Sequence, residues 1–293
     1  MANTQLLRKR IRSVGNIRQI TKAMEMVAAA KMRRAVERRA ASSAYAKEAF
    51  DFLQDLIRSV DPALHPLLKK PVQSPTSKKV LVIAVASDRG LAGSFNTNVL
   101  KETLRAVKEI GEGASFVTVG KKICDTLRRR YGERIIADFT GLGDKLLTFA
   151  ETTPIAHIAI SHYLENAFDR VVLVATHFES SLLQRAQVSQ VLPIARADQL
   201  DSVETTPDYR FEPSKDIVLD AVLRRLVEIQ IFQTLVESNA SEHSARMVAM
   251  KNATDAAGDL IEDLQLTYNQ ERQAGITREL AEISAGAEAL QGA

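Results

Sequence analysis

From Asn3 to Val60 the chain holds no proline and one glycine, Gly15, so nothing forces the backbone out of a helix until Asp61-Pro62. An unbroken helix of that size, about 80 Å at 1.5 Å per residue, is more than a globular core covers and calls for a partner along its length. Ile17, Ile20, Met24, Val27 and Ala28 predict a narrow apolar seam, which Ala28, Ala35, Ser42 and Ala49 continue at intervals of seven. Small residues there let a second helix come close. The second helix lies at the other end of the chain. Val222, Ile229, Val236, His243, Met250, Ala257 and Leu264 recur at sevens, with Leu226, Ala240, Met247, Ile261 and Tyr268 on the companion position and Gln233 and Thr254 as polar lapses. Gly258 and Gly275 each weaken that helix by about 1 kcal/mol relative to Ala without ending it.

Between the two helices the rhythm changes. Pro62, Pro66, Pro71 and Pro75 mark a boundary, and Lys79 to Ala86 then reads KVLVIAVA, a β-branched run expected of a buried parallel strand. Helices over 98–110, 121–131 and 148–168 alternate with strands over 115–119, 134–139 and 170–176, and the alternation of Gln184 to Leu192 predicts an antiparallel edge strand. The fold class expected is therefore α/β: a long antiparallel coiled coil of N- and C-terminal helices with an inserted Rossmann-like open α/β domain. The divisions are 1–60 for the first helix, 61–212 for the globular base, and 213–293 for the second helix with its tip.

An antiparallel hairpin rooted near Ser59 and Ser214 places residue i of the first helix opposite about 273 − i of the second. Ile20 to Val27 should then touch Met247 to Leu260. Beyond about Arg272 no partner remains, although Ile276, Leu280, Ile283, Ala287 and Leu290 still repeat at four, three, four and three. A projecting helix of about 20 residues with an unpartnered apolar stripe needs a socket in another protein.

Composition narrows the function classes. Aromatics make up 5% of the chain with no Trp, which favours long helices over a compact globule. Arg8 to Arg39 holds eleven basic residues against Glu25 and Glu37, whereas Asp259 to Glu288 holds seven acidic residues against Arg272 and Arg278. The basic face suits an acidic partner; nucleic acid is the rival, betrayed by salt-sensitive binding. One cysteine, Cys124, excludes an intrachain disulfide framework and a four-cysteine metal site. No apolar run reaches the ~20 residues that span a bilayer. The Arg-rich start resembles a transit peptide superficially but continues unbroken into the long helix.

Motifs for chemistry are weak. Ser87 to Asn96, SDRGLAGSFN, follows a strand and precedes a helix as phosphate cradles do, yet Gly90 and Gly93 do not make GxGxxG, and no GKS or GKT occurs. A tight turn with Ser94 or Asn96 capping the next helix is the plainer expectation. His157, His162 and His177 have no zinc spacing. Cys124 sits among Lys121, Lys122, Arg128 and Arg129, where a helix-face thiol is expected rather than a reactive one. A nucleotide-binding α/β enzyme with helical arms is the second rival, to be separated by titration with ATP or NAD.

Four stretches resemble the gamma subunit of bacterial-type F-type (F1Fo) ATP synthase, in that family's order. They are Ile20-Thr21-Lys22-Ala23-Met24-Glu25-Met26-Val27-Ala28-Ala29-Ala30-Lys31; Arg89-Gly90-Leu91-x-Gly93 with Asn96; Ser241-Glu242-x-x-Ala245-Arg246-Met247-Val248-Ala249-Met250-Lys251-Asn252-Ala253-Thr254; and Ile276-Thr277-x-Glu279-x-x-Glu282-x-x-x-Gly286-Ala287. Ala92 stands where many relatives have Cys, which removes a redox reading. The resemblance implies a central rotor shaft coupling proton translocation to ATP synthesis or hydrolysis on a ring of three alpha and three beta subunits. It implies a subunit without catalytic, cofactor or metal residues of its own, peripheral to the cytoplasmic face of the bacterial inner membrane. Partners implied are alpha, beta, epsilon and the c-ring, with no nucleic acid, no bilayer insertion and no homo-oligomer. By matching positions, Lys22, Met24, Glu25, Arg246, Gln270, Ile276, Thr277, Glu279, Leu280, Glu282 and Ile283 meet the beta catch loop or sleeve, and Tyr209, Phe211 and Glu212 meet the base partners.

Overall fold

The computed structural model describes residues 2–58, 65–68, 79–143, 147–194, 212 and 214–291. Helix α1 runs over Ala2–Arg58 and α5 over Lys215–Gln291, so neither Gly15 nor Gly258 nor Gly275 ends a helix. Between them come β1 (Val80–Val85), α2 (Phe95–Ile110), β2 (Ala114–Val119), α3 (Lys121–Tyr131), β3 (Ile135–Phe139), α4 (Phe149–Leu164), β4 (Arg170–Phe178) and β5 (Gln184–Leu192). The chain divides into two compact units, one of residues 28–246 and one of residues 1–27 with 247–293.

In the larger unit the strands form one sheet in the order β3-β2-β1-β4-β5. β1 pairs in parallel with β2 and β4, β3 in parallel with β2, and β5 antiparallel with β4 as its alternation predicts. The central position of β1 accounts for its unbroken burial, because both faces and both edges are covered. Successive side chains enter opposite cores. Val80, Val82, Ala84, Phe116, Val172 and Val174 join Val99 of α2 and Ile123 and Leu127 of α3 on one face. On the other face Leu81, Ile83, Val117, Val171 and Leu173 meet Ile155, Ala159 and Ile160 of α4.

The same core takes in the root of α5. Leu219, Leu223, Val227, Ile231 and Leu235, spaced by four along one stripe, are all buried against it. Here α5 is a roof on the sheet, a role its heptad spacing does not announce. Its heptad residues Ile229, Val236 and His243 are buried as well.

Several sequence expectations need correction. Ile17, Ile20 and Val27 are more than half exposed and do not make the seam of α1. Among the described side chains of α1, Leu7, Thr21, Ala28 and Ala35 are buried and Val14 is half-buried, again at sevens. In the smaller unit Thr21 is paired with Thr254, whose hydroxyl donates to that of Thr21 at 2.9 Å, and the Arg18 guanidinium lies over Gly258, where a Cβ would touch it at 3.8 Å. Around Thr21 the small residues of the seam bring the backbones together and leave Ile20 outside. The antiparallel pairing itself falls where mirroring predicts, offset by two residues. α4 ends at Leu164 instead of 168 because Asn166 takes a left-handed φ of 55°, a conformation asparagine tolerates at a helix end.

Below the sheet, His65 fastens the turn Pro66–Leu68 to α5. Its Nδ1 accepts the Leu67 N–H at 3.3 Å, which leaves Nε2 to donate to Asp220 Oδ1 at 3.2 Å. Arg224 bonds both Asp220 oxygens, at 3.0 and 2.8 Å, and this hydrogen bonding holds the carboxyl below its ordinary 3.8. A lowered carboxylate pKa contributes stability that is present above the unfolded value and is lost as pH falls through the folded one. Asp220→Asn should therefore destabilise the chain at neutral pH, and the difference from wild type should close in acid, as read by urea unfolding across pH 2 to 7. Leu223→Ala, which empties a fully buried site between α5 and the sheet, should cost about 2–5 kcal/mol in the same assay at neutral pH.

Candidate functional site

The residues singled out from sequence fall into both units. In the smaller one, Lys22 donates to both oxygens of Glu25 at 3.0 Å, three residues along α1, with the Lys22 side chain 55% exposed. Met24 beside them is half-buried. Further along α5, Gln270, Thr277, Glu279 and Glu282 are exposed. Ile276, Leu280 and Ile283 are 49, 61 and 69% exposed, so the stripe expected to lack a partner lacks one among the described residues. The side chain of Leu290 lies outside the described residues, as do Tyr209 and Phe211; Glu212 is exposed.

Arg246, at the corresponding limit of the larger unit, is placed differently from a free surface cation. Its Nη1 donates to Glu242 Oε1 at 2.8 Å, and the two side chains are only 12 and 8% exposed. Nη1 also lies 3.4 Å from His243 Nδ1, while Nη2 donates to the carbonyls of Arg89 and Gly90 at 3.4 Å each. The buried ion pair is completed by backbone oxygens, the condition under which such a pair holds in a low dielectric. Arg246 thus ties α5 to the loop that follows β1.

That loop is fixed from several sides. Asn96 Oδ1 accepts the Ser87 N–H at 3.0 Å and lies 2.8 Å from the Ser87 hydroxyl, so Asn96 braces the strand end. Ser94 sits at the helix N-cap without a side-chain cap bond, so neither expected cap forms. Asp88 accepts the N–H groups of Lys121 and Gly141, both at 3.0 Å, and pins the ends of β2 and β3 to it. Gly120 holds φ +98°, and a Cβ there would collide with the Ala86 carbonyl, so only glycine allows the two strand ends to approach this closely. Held in this way, Leu91 adopts φ 63° with its side chain 62% exposed.

A cavity of about 20 Å³ beside the loop, lined by Val85, Val119, Leu142, Leu235, Asn239 and Glu242, has room for about one water. The three histidines go separate ways: His157 is exposed, His162 lies 3.8 Å from Glu165, and His177 bonds Glu237 at 2.6 Å. Among the described residues no three His, Cys, Asp or Glu side chains gather as metal ligands, and no helix is long and apolar enough to cross a membrane. Cys124 is buried on α3. Sequence reasoning missed the Glu242–Arg246 pair and the Asp88 pin. The first was legible as an acidic residue four positions before a basic one; the second joins residues far apart in the chain and leaves no local signal.

The arrangement defines a class: an open α/β domain inserted between two long antiparallel helices, with exposed apolar and charged residues along the helices and a loop after β1 that Arg246 of α5 holds. A family model described as ATP synthase matches residues 3–290. The chain is 41% identical to the ATP synthase gamma chain of Herpetosiphon aurantiacus over 99% of each. It is 42% identical to that of Acidithiobacillus ferrooxidans over 99% of this chain and all of the relative. A chain in the cryo-EM structure of Euglena gracilis mitochondrial ATP synthase, OSCP/F1/c-ring in rotational state 3, shares the fold with a TM-score of 0.70 at 20% identity, covering 99% of this chain and 95% of that one. This chain belongs to the ATP synthase gamma chain family.

Removing one member of the buried pair strands the other. Arg246→Ala should cost about 3–5 kcal/mol, and the double variant Glu242→Gln with Arg246→Met should cost less than Arg246→Ala, as chemical denaturation of the full chain will show.

Proposed function

We propose that this chain is the rotor shaft of an F1Fo ATP synthase, peripheral to the cytoplasmic face of a bacterial inner membrane. It turns inside a ring of alpha and beta subunits and stands on epsilon and the c-ring through the base domain at 61–212. Chemistry takes place on beta, and the shaft forms and breaks no bond. Its contribution is an asymmetric surface that favours different conformations of three otherwise equivalent catalytic subunits, so that rotation changes their affinities in turn. Membership of the gamma chain family carries this reading, and the observation that makes it mechanical is the stripe of Ile276, Leu280 and Ile283. Large apolar side chains left half to two-thirds bare on a long helix need a sleeve, and each could contribute about 1.5–3 kcal/mol on full burial.

A rotating shaft must not be gripped at one angle. The sleeve contact at Ile276, Thr277, Glu279, Leu280, Glu282 and Ile283 is accordingly broad, with Ile276, Leu280 and Ile283 supplying its apolar part. The angle is set by charged and polar contacts at Lys22, Glu25 and Gln270 with Met24 beside them, and by Arg246 through the loop it holds. Tyr209, Phe211 and Glu212 belong to the base contact.

Co-expression with alpha and beta should give a stable complex containing one copy of this chain, with ATP-driven rotation of a probe fixed to the base. Failure to co-purify would overturn the reading. Deletion of Gly286 to Ala293 should lower the yield of complex modestly and leave rotation intact, whereas Lys22→Glu should lower ion pumping per ATP hydrolysed in complexes that still assemble. Loss of all hydrolysis on tip deletion, in intact complexes, would show that the tip gates catalysis instead of bearing on a sleeve.

A further inference from the structure

The two helices are not held to the base in the same way. α5 lays Leu219, Leu223, Val227 and Ile231 into the core of the sheet, a broad contact that fixes its angle and height. In the larger unit α1 meets its neighbours through small side chains. Ala28 and Ala35 are buried, and Ala35 joins Phe178 of β4 and Ala240 of α5 in a small apolar cluster flanked by Val36. A seam of alanines permits close approach but supplies few knobs against sliding along the axis. Something directional must set the height of α1.

The carboxylate of Glu237 on α5 answers that need. Its Oε1 accepts from Arg39 Nε of α1 at 3.0 Å, and its Oε2 bonds His177 Nδ1 of β4 at 2.6 Å. The Glu237 side chain is 13% exposed, the Arg39 side chain 28%. The Arg39 guanidinium also sits 5.5 Å from the centroid of the Phe178 ring, a cation–π contact that fixes its plane. One buried carboxylate therefore joins α1, α5 and the end of a core strand at a single point, just beyond the Ala35–Ala240 contact. Slippage of α1 by one residue would carry Arg39 about 1.5 Å along the axis and about a quarter turn around it, out of reach of Oε1.

We propose that Glu237, with Arg39 and His177, is the positioning joint that locks α1 to the base, so that torque passes between base and both helices of the shaft rather than through α5 alone. This rests on the shaft reading above. Without the joint, α1 yields under load and part of each step is lost as slip; hydrolysis by the ring proceeds, but less of it is converted into ion transport.

The test uses complexes carrying wild-type chain, Glu237→Gln, Arg39→Gln or both. Each single variant should lower the ratio of ions pumped to ATP hydrolysed about three-fold or more while hydrolysis stays within about two-fold of wild type. The double variant should be no worse than the singles, because they break one joint, and Arg39→Lys should recover part of the loss. On the free full-length chain, amide exchange over residues 28–41 should rise about ten-fold in Glu237→Gln. A wild-type complex that fails to form or couple would overturn the shaft reading itself. A wild-type complex that couples, with variants that couple equally well, would overturn the joint, whatever the exchange data show.

Discussion

A helix of 77 residues can be part of a defined structure only if some stretch of it is held where it cannot move, and here that stretch is the root of α5 on the sheet. Leu219, Leu223, Leu226, Val227 and Ile231 are at most 2% exposed and complete a core that the strands and α4 would otherwise leave open. The dependence is mutual. The sheet needs a cover for the face carrying Leu81, Ile83 and Leu173, and α5 needs a seat that helix propensity cannot supply.

Beyond the root, small and polar groups carry much of the pairing of the helices. Thr254 donates its hydroxyl to that of Thr21, Arg18 covers Gly258, and Ala35 meets Ala240. Close backbones give stiffness in bending, and the polar contacts set register, which an all-apolar seam would leave free to slip. The same choice puts Ile17, Ile20, Met26 and Val27 on the outside. A surface both apolar and basic is costly for a lone protein and suited to one that works enclosed by others.

Much of this was legible in the sequence. The absence of proline to Asp61, the repeats at sevens, the β-branched runs of β1 and β4 and the alternation of β5 each carried their own period, and the strands and helices fall within a few residues of where those periods put them. The Thr148-x-x-Glu151 capping box that starts α4 was also readable, with both of its bonds formed. What failed has a common cause. Apolar size is a poor sign of burial along α1, where the seam selects for smallness, so Thr21 and Ala28 are inside and Ile20 is outside. The Glu242–Arg246 ion pair is different in kind: its spacing of four is visible in the sequence, but its burial against the loop after β1 is not. The Glu237 joint was half visible: mirroring puts Glu237 opposite residue 36, within a turn of Arg39, but nothing local marks His177 as the third member.

On the shaft reading, the stripe of Ile276, Leu280 and Ile283, exposed among the described residues, becomes enclosed when the complex assembles. Hydrogen–deuterium exchange over residues 272–291 measures this directly, comparing the free full-length chain with the chain bound in a ring of alpha and beta subunits. Rapid exchange is expected in the free chain, where Ile276, Leu280 and Ile283 lie exposed among the described residues, and exchange slowed at least about 100-fold in the complex. Equal rates in the two states would contradict it, because a helix that gains no protection on assembly is not the part of the shaft that the sleeve holds.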